Sequence, residues 1–513
     1  MTRFSGKESS RCAALLFVAV FALYWALTPA TIYGMGYIGE EVVFARQLLQ
    51  ELGVTLPHTP PLPIQYPRHG VASPLMHIPF LLIAAPLSGS SLDREQMVVA
   101  LEPVVLTSFI VLFIFLIVRR FTGNELRALV AALLAGFCTM LWPYAYIGLE
   151  AQQSFFLMLT AYLTLGRSEK ISWWGTIGLS LCAGMTMNVK SSGAFLAPAV
   201  MFLLFHRFVR SANSQNRRDG ITRFATALAI LFPLYMANGF ARELAWRGRS
   251  GDYLRGFIVP DVTSYFMNIV SLIGSPNKGI VIYAPVLLLA FLWRPSHGEG
   301  RTLLIFSILV LGGLIGAFAI FTSWSDEVWG PRYLHSSVAP WVMSLVVSLE
   351  AARLSWRKRA LLLAVAVLGF GVSFLGAFYS YGALHAAAAD ANQARLETIQ
   401  SNPTWNHVRF NARLLRLWVS ADERTFWKPP RQWYFEPPPD AEPVPRIDLR
   451  SYIRPHAALV RRWDGGKDGF WWSLIFSLIL GVTLVVTSWR MAASRAQAVL
   501  SASTGVATKS PGD

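Results

Sequence analysis

Acidic side chains are scarce in this chain of 513 residues: 29 Asp and Glu stand against 45 Lys and Arg, and charged residues of both signs make up only 14%. Soluble globular domains carry about 25% charged residues, so an ordinary water-soluble fold is excluded. Cysteine is scarcer still. The three present, Cys12, Cys138 and Cys182, lie within apolar segments and offer neither a disulfide framework nor a metal-ligand spacing. A Walker phosphate loop, a zinc-protease helix and a nucleophile elbow are all missing. The run Gly34-Met35-Gly36-Tyr37-Ile38-Gly39 matches the dinucleotide fingerprint as a string, but no βαβ unit surrounds it, and it reads as a flexible exit turn after a membrane helix.

What the chain has instead is apolar length. Hydrophobic residues make up 54% and aromatics 13%, the mean hydropathy is +0.44, and the chain reads as an all-α polytopic membrane protein. Windows able to cross about 30 Å of hydrocarbon, some with help from their flanks, fall near Cys12–Ile32, Met97–Val118, Leu126–Tyr146, Ala151–Leu165, Ile171–Met187 and Gly193–Phe208. Six more fall near Phe224–Phe240, Gly279–Trp293, Leu303–Phe321, Tyr333–Leu349, Ala360–Tyr379 and Phe470–Trp489, for about twelve spans. The net charge of +16 is spread as punctuation between apolar runs, which argues for topology signals and against nucleic acid.

Lys and Arg alternate in side, as retention on the cytoplasmic face requires. Arg119, Arg120, Arg127, Arg167, Lys170, Arg294, Arg353 and Arg490 share one face with the basic N-terminal flank, so both termini are expected in the cytoplasm and the chain in the cell (inner) membrane. Arg242, Arg247, Arg249 and Arg255 run against this pattern and suit an anionic ligand or a different span count there. The N-terminal apolar segment is expected to be retained, because no small-x-small cleavage site precedes Tyr33. The organisation is then a transmembrane catalytic region over 1–381, a small extracytoplasmic region over 382–469, a last span over 470–490 and a cytoplasmic tail over 491–513. Val71–Leu87, broken by Pro74, Pro79 and Pro86, and Asp261–Ile273 read as juxtamembrane helices lying in the outer interface. In the 382–469 region, helix is expected around Ala386–Ile399 and Val408–Val419, before a Pro-rich run.

Chemistry-bearing residues gather on the outer face. Glu40 and Glu41 follow the first apolar segment, where a carboxylate near a bilayer usually faces a wet cavity, although a solvated helix start uses the same residues. Ile171–Met187 is short for a span, at about 25 Å. The polar run Asn188-Val189-Lys190-Ser191-Ser192 should therefore dip below the surface, making Lys190 either a cavity cation or a snorkelling anchor. Glu150, after Trp142-Pro143-Tyr144, and the pair Asp326-Glu327 sit at outer helix ends and suit sugar hydroxyls or a divalent cation; Glu150 equally suits a helix cap. His69, His77 and His335 read as packing or hydrogen-bonding residues, and no obligatory metal or other cofactor is expected. Gly312 and Gly316 carry a small-xxx-small spacing suited to close helix packing.

Taken in order, these motifs resemble GT-C glycosyltransferases, the superfamily of protein O-mannosyltransferases and lipid A aminoarabinose transferases. Gly39-Glu40-Glu41 with Phe44-Ala45-Arg46-Gln47 is similar to the family's acidic first-loop signature, and Gln65-Tyr66-Pro67-Arg68-His69-Gly70 to its basic, proline-containing loop. Gly274-Ser275-Pro276-Asn277-Lys278-Gly279 with Tyr283-Ala284-Pro285, and Trp329-Gly330-Pro331-Arg332-Tyr333-Leu334, resemble polyprenyl-phosphate-dependent bacterial members. The chain departs in carrying Glu40 where many members have Asp, and Val43 where the aminoarabinose branch often has Arg, which touches substrate identity.

The resemblance implies an inverting transfer of sugar from a polyprenyl-phosphate donor to an extracytoplasmic glycan, lipid or protein. It implies Glu40 as base, with Glu41 as the alternative, and Arg68, Lys190, Lys278 and Arg332 as candidates for the phosphate. Tyr66, His69, Glu150, Asp326, Glu327, Trp329 and Tyr333 are then sugar or acceptor candidates. Two other classes stay open from the residues: a twelve-helix transporter or lipid-linked sugar flippase, in which the charges would line a path near mid-membrane, and an assembly protein acting through 382–469.

Overall fold

The computed structural model describes residues 6–26, 36–54, 56, 72–88, 95, 98–166, 171–210, 217–246, 258–259, 261–292, 298–321, 329–349, 355–379, 384, 406–420 and 477–494. Among them there is no β-strand, and Ile258 and Phe321 form an isolated antiparallel bridge. The helices are α1 (Gly6–Ala26), α2 (Gly36–Glu51), α3 (Ala72–Ser88), α4 (Leu101–Thr122), α5 (Glu125–Phe137), α6 (Gly148–Ala161), α7 (Trp173–Asn188), α8 (Ala197–Phe205) and α9 (Arg217–Trp246). They continue as α10 (Val262–Gly274), α11 (Ile280–Tyr283), α12 (Leu287–Leu292), α13 (Gly298–Phe318), α14 (Val338–Ser348), α15 (Trp356–Phe378) and α16 (His407–Ser420), with α17 (Ser477–Ser494) last. Single π-turns extend α6 and α8, and 3₁₀ turns cover Ser191–Leu196 and Arg332–Ser337.

Among the described residues, six helical stretches are long and apolar enough to cross a membrane: 101–122, 192–210, 217–237, 300–318, 356–378 and 477–494. The other expected spans do not form helices both long and apolar enough among the described residues, so the all-helical membrane class stands at this coarser count. Outward Phe232, Leu363 and Val367 are exposed, as side chains facing lipid should be.

The core forms around α4, which packs on α1, α5, α6 and α14. Local signals fix its hairpin with α5. Arg119 and Arg120 lie in the last turn of α4, where a cation suits the helix dipole. Gly123 turns left-handed at φ 63° with its N–H on the Arg119 carbonyl, and Asn124 then caps α5 by accepting from the Arg127 N–H. Ser172 caps α7 in the same way, accepting from Gly175 N–H. Arg223 of α9 clamps that end of α7, donating to the Ile171 carbonyl at 2.9 Å and to Thr176 at 3.0 Å.

Two sequence readings are corrected. Gly36 and Gly39 lie within the first turn of α2, so the Gly34–Gly39 run is not an exit turn at those positions; the apolar face of α2, with Val42, Ala45 and Leu49 buried against Leu81 of α3, draws them into helix. In α13 the close approach is made by Gly313, where an added Cβ would lie 2.4 Å from the Phe195 carbonyl oxygen, whereas Gly312 faces open space. Gly316 does serve packing, its carbonyl accepting from Tyr265 of α10 at 3.3 Å.

The two segments expected as juxtamembrane helices are helical. α3 covers the expected Val71–Leu87 segment and contains Pro79 and Pro86. α10 carries an exposed apolar stripe of Val262, Phe266, Met267 and Val270. Within 382–469 the expected Val408–Val419 helix is α16, docked on α15 through buried Phe410 and Leu414 and by Asn411, which donates to the Leu375 carbonyl at 3.1 Å. Ala386–Ile399 and the Pro-rich run lie outside the described residues, as do Arg247, Arg249 and Arg255.

Candidate active site

Three segments distant in sequence converge on one carboxylate. Glu150 enters from the first turn of α6, Lys190 from the turn after α7, and Arg332 from the start of the 332–337 turn. Lys190 Nζ donates to Glu150 Oε1 at 2.8 Å, and Arg332 Nε lies 3.3 Å from the same oxygen. Glu150 and Lys190 are both buried.

The chain is built to hold Lys190 there. α7 stops at Asn188, whose amide donates to the Leu234 carbonyl of α9 at 2.7 Å. The backbone then folds back on itself, with Gly193 N–H on the Lys190 carbonyl at 2.8 Å. A Cβ at Gly193 would lie 2.6 Å from the Thr186 carbonyl oxygen, so only glycine permits this dip. On the opposite wall Gly330 has φ 60°, and a Cβ there would meet the Tyr283 ring at 2.7 Å. That left-handed residue sends the chain from Trp329 into Arg332.

Aromatics and a polar chain complete the surroundings. The Tyr333 ring lies under both cations, 5.0 Å from Lys190 Nζ and 5.2 Å from the Arg332 guanidinium carbon, and stacks on Phe318 at 4.0 Å. Beside it Ser154 meets His335 Nδ1 at 2.9 Å and Ser336 at 2.9 Å, while Gln153 donates to Ser192 at 3.3 Å. Glu150 sits just before the Ala151–Leu165 window. Burial pushes its carboxyl up, but Lys190 and Arg332 together outweigh that and hold it below the usual carboxylate value.

A second polar group lies against the first. His77 of α3 pairs with Glu102 at the start of α4, and Gln152 of α6 donates to the same carboxylate at 2.5 Å and to the Ser73 carbonyl at 3.4 Å. A Cβ built on Gly148 would touch the His77 ring at 3.8 Å, which puts His77 beneath the turn that carries Glu150. Glu41 of α2 is buried on this side of the molecule, and Arg46 one turn on pairs with Glu95. Burial pushes the His77 imidazole down, yet the charge and hydrogen bond of Glu102, with the Glu41 charge added, raise it above its usual 6.5.

Of the residues expected from the sequence, the structure brings Glu150, Lys190, Arg332 and Tyr333 together. Lys278 is fully buried in the turn after α10, where the neighbouring Asn277 carbonyl accepts from Tyr283 at 2.6 Å. Trp329 is buried with its ring 5.2 Å from Tyr283 and 5.9 Å from His407, and its carbonyl accepts from Tyr144. Trp329 thus packs the wall behind Arg332. Glu40 lies in the first turns of α2, but its side chain is outside the described set; Tyr66, Arg68, His69, Asp326 and Glu327 are outside the described residues altogether. Glu102, Gln152, Gln153 and Ser154 were not singled out from sequence. The available signal was a lone acid in the first turn of a 22-residue apolar helix and two adjacent amides inside another apolar window.

Residues 74–236, about a third of the chain, match the family model of the dolichyl-phosphate-mannose-protein mannosyltransferases. The GT-C resemblance read from the motifs is therefore met by a glycosyltransferase family over the segment that carries His77, Glu102, Glu150 and Lys190. Among solved structures, the chain is similar to the Archaeoglobus fulgidus oligosaccharyltransferase in its apo form, with 13% identity and a TM-score of 0.43 over 78% of this chain and 61% of that one. It is also similar to the archaeal oligosaccharyltransferase AglB from the same organism in complex with an inhibitory peptide and a dolichol-phosphate, with 12% identity and a TM-score of 0.40 over 85% and 61%. The chain spans about three-fifths of the length of those proteins. No curated protein matches it.

Proposed function

We propose that this chain is a membrane glycosyltransferase that moves a sugar from a polyprenyl-phosphate donor to an extracytoplasmic acceptor hydroxyl. The observation that carries the reading is the meeting of buried Lys190 and partly buried Arg332 on the buried Glu150 carboxylate, with Glu150 and Lys190 inside the segment that matches a lipid-linked mannosyltransferase family. A leaving phosphate needs positive charge where water is excluded, and an Arg fork with a Lys point charge is suited to it. Arg68 and Lys278 are further candidates for the same anion.

The chemistry is one inverting displacement. A first-loop carboxylate, Glu40 or in its place Glu41, takes the proton of the acceptor hydroxyl. The freed oxygen forms the new bond to the anomeric carbon while the bond from that carbon to the phosphate oxygen breaks, and polyprenyl phosphate departs with the electron pair. Glu150 and Tyr333 face the sugar, with Tyr66, His69, Asp326, Glu327 and Trp329 as candidates for sugar or acceptor. The match to the dolichyl-phosphate-mannose-protein mannosyltransferases favours mannose as sugar and a protein as acceptor; an envelope glycan or lipid acceptor uses the same step. Comparison of lipid-linked sugars and envelope glycans in cells with and without the protein tests the reading. A lipid-linked sugar should accumulate and one glycosylated product disappear, and unchanged pools of both would contradict it.

Arg332→Ala should weaken donor-lipid binding about tenfold or more, and Arg332→Lys should restore it only in part, because the planar fork is lost. Equal affinity of Arg332→Ala and the parent in nanodiscs would remove the residue from the phosphate site. For orientation, single cysteines at Ser88 and Asn402 should label from outside intact cells, and cysteines at Ser214 and at exposed Ser355 only after permeabilisation. Labelling of Asn402 only after permeabilisation would invert the topology.

A further inference from the structure

The first-loop helix presents two adjacent carboxylates, and the buried polar group beneath it separates their duties. His77 lies one helical turn before Leu81, on the α3 face that packs against α2, and Glu41 lies one turn before Ala45 in the same apolar seam. Below them, His77 is held by Glu102 of α4, and Glu102 by Gln152 of α6. Glu41, His77, Glu102 and Gln152 are all buried. Ionised groups survive such burial only when compensated by charge and hydrogen bonds, and His77 has that compensation from its pairing with Glu102, with the charge of buried Glu41 adding to it.

We infer that His77 is a positioning residue: held by Glu102, it anchors Glu41 and so fixes α2 over α6, leaving Glu40 as the carboxylate that takes the acceptor's proton. The assignment rests on the glycosyltransferase reading for the role of Glu40, but the anchor itself does not. Two neighbouring carboxylates raise each other's affinity for a proton. A cation under one of them breaks that symmetry, keeping Glu41 charged as a tether and confining proton uptake to its neighbour. The charged groups that act on His77 are Glu102 on α4 and Glu41 on α2; the surrounding elements also carry Glu40, Arg46 and Glu51 on α2, Arg119 and Arg120 at the far end of α4, Glu150 on α6 and Lys190 after α7. Arg46 is paired with Glu95 and Lys190 with Glu150.

The sign of the pH dependence follows from the raised His77 value. A cation stabilised by folding contributes fully below the ordinary imidazole range, and the contribution is lost as pH rises through the elevated folded value. The test is thermal unfolding of the purified chain in nanodiscs across neutral to alkaline pH, alongside the pH profile of kcat/KM. The parent should lose stability on an alkaline limb. Glu102→Gln, which keeps the shape of the pair, should move that limb toward acid by about one to two pH units, the scale set by one neighbouring charge. His77→Gln should be less stable at neutral pH and lack the limb, Glu41→Gln should move the limb toward acid by less than Glu102→Gln does because Glu102 still holds His77, and Glu40→Gln should keep the parent's limb while losing turnover. A packing role alone would lower the unfolding temperature at every pH without moving the limb, and that result, or an unchanged limb in Glu41→Gln, would overturn the inference. Should the parent transfer no sugar, the functional reading fails, and the unfolding arm still decides whether the anchor exists.

Discussion

Glu40→Gln is expected to abolish sugar transfer, with kcat falling by about 10²- to 10⁴-fold, the range supplied by a positioned general base. Gln keeps the size and one hydrogen-bonding oxygen of the side chain but cannot accept the acceptor's proton. Expression, membrane insertion and donor-lipid affinity should stay near those of the parent, since Gln preserves the shape of the side chain and donor phosphate is assigned to cations elsewhere. Glu41→Gln should cost less in kcat. Near-normal transfer by purified Glu40→Gln would reject Glu40 as the base.

The second large effect is expected at Glu150, where the two obvious replacements should differ in what they cost the fold. Glu150→Ala removes the carboxylate shared by Lys190 and Arg332, and breaking a buried ion pair by deleting one partner costs about 3–5 kcal/mol. A strongly lowered unfolding temperature should therefore accompany loss of transfer. Glu150→Gln retains an oxygen for Lys190 yet removes one negative charge from the cluster, leaving the two cations less neutralised. Polyprenyl phosphate should then bind more tightly, by about tenfold for each 1.4 kcal/mol of added attraction, and turnover should slow through retained product. Weaker phosphate binding in Glu150→Gln would show that the cluster is a structural ion pair and that the phosphate lies elsewhere.

The pH dependence at Glu150 runs opposite to that at His77. A carboxyl held below its usual value by Lys190 and Arg332 stabilises the fold above the ordinary carboxylate range, and this contribution is lost only as pH falls through the depressed value.

The membrane class was legible because it rests on composition and on run length, which need no tertiary information. Lys190 was legible for a similar reason: Ile171–Met187 is short for a span, and α7 does end at Asn188, with Lys190 in the dip that follows. Glu150 was named, but its partners were not, since nothing in spacing links residue 150 to 190 or 332. Glu102 stayed hidden because an acid in the first turn of a helix already has a local explanation in the dipole. Its pairing with His77 and Gln152 appears only when α3, α4 and α6 are packed. The Gly34–Gly39 run was misread for the reverse reason: three glycines suggest a turn, and the apolar seam of α2 against α3 overrides that local preference.

The central claim is that this chain cleaves the bond between a sugar and a polyprenyl phosphate. Its most direct test is reconstitution of the purified protein in liposomes with polyprenyl-phosphate mannose labelled in both sugar and lipid phosphate, together with acceptor peptides and envelope glycan fragments. Acceptor-dependent release of polyprenyl phosphate, with the sugar inverted at its anomeric carbon in the product and both signals lost in Glu40→Gln, is the expected result. Movement of the intact labelled donor from one leaflet to the other without release of polyprenyl phosphate would contradict the account and establish a flippase in its place.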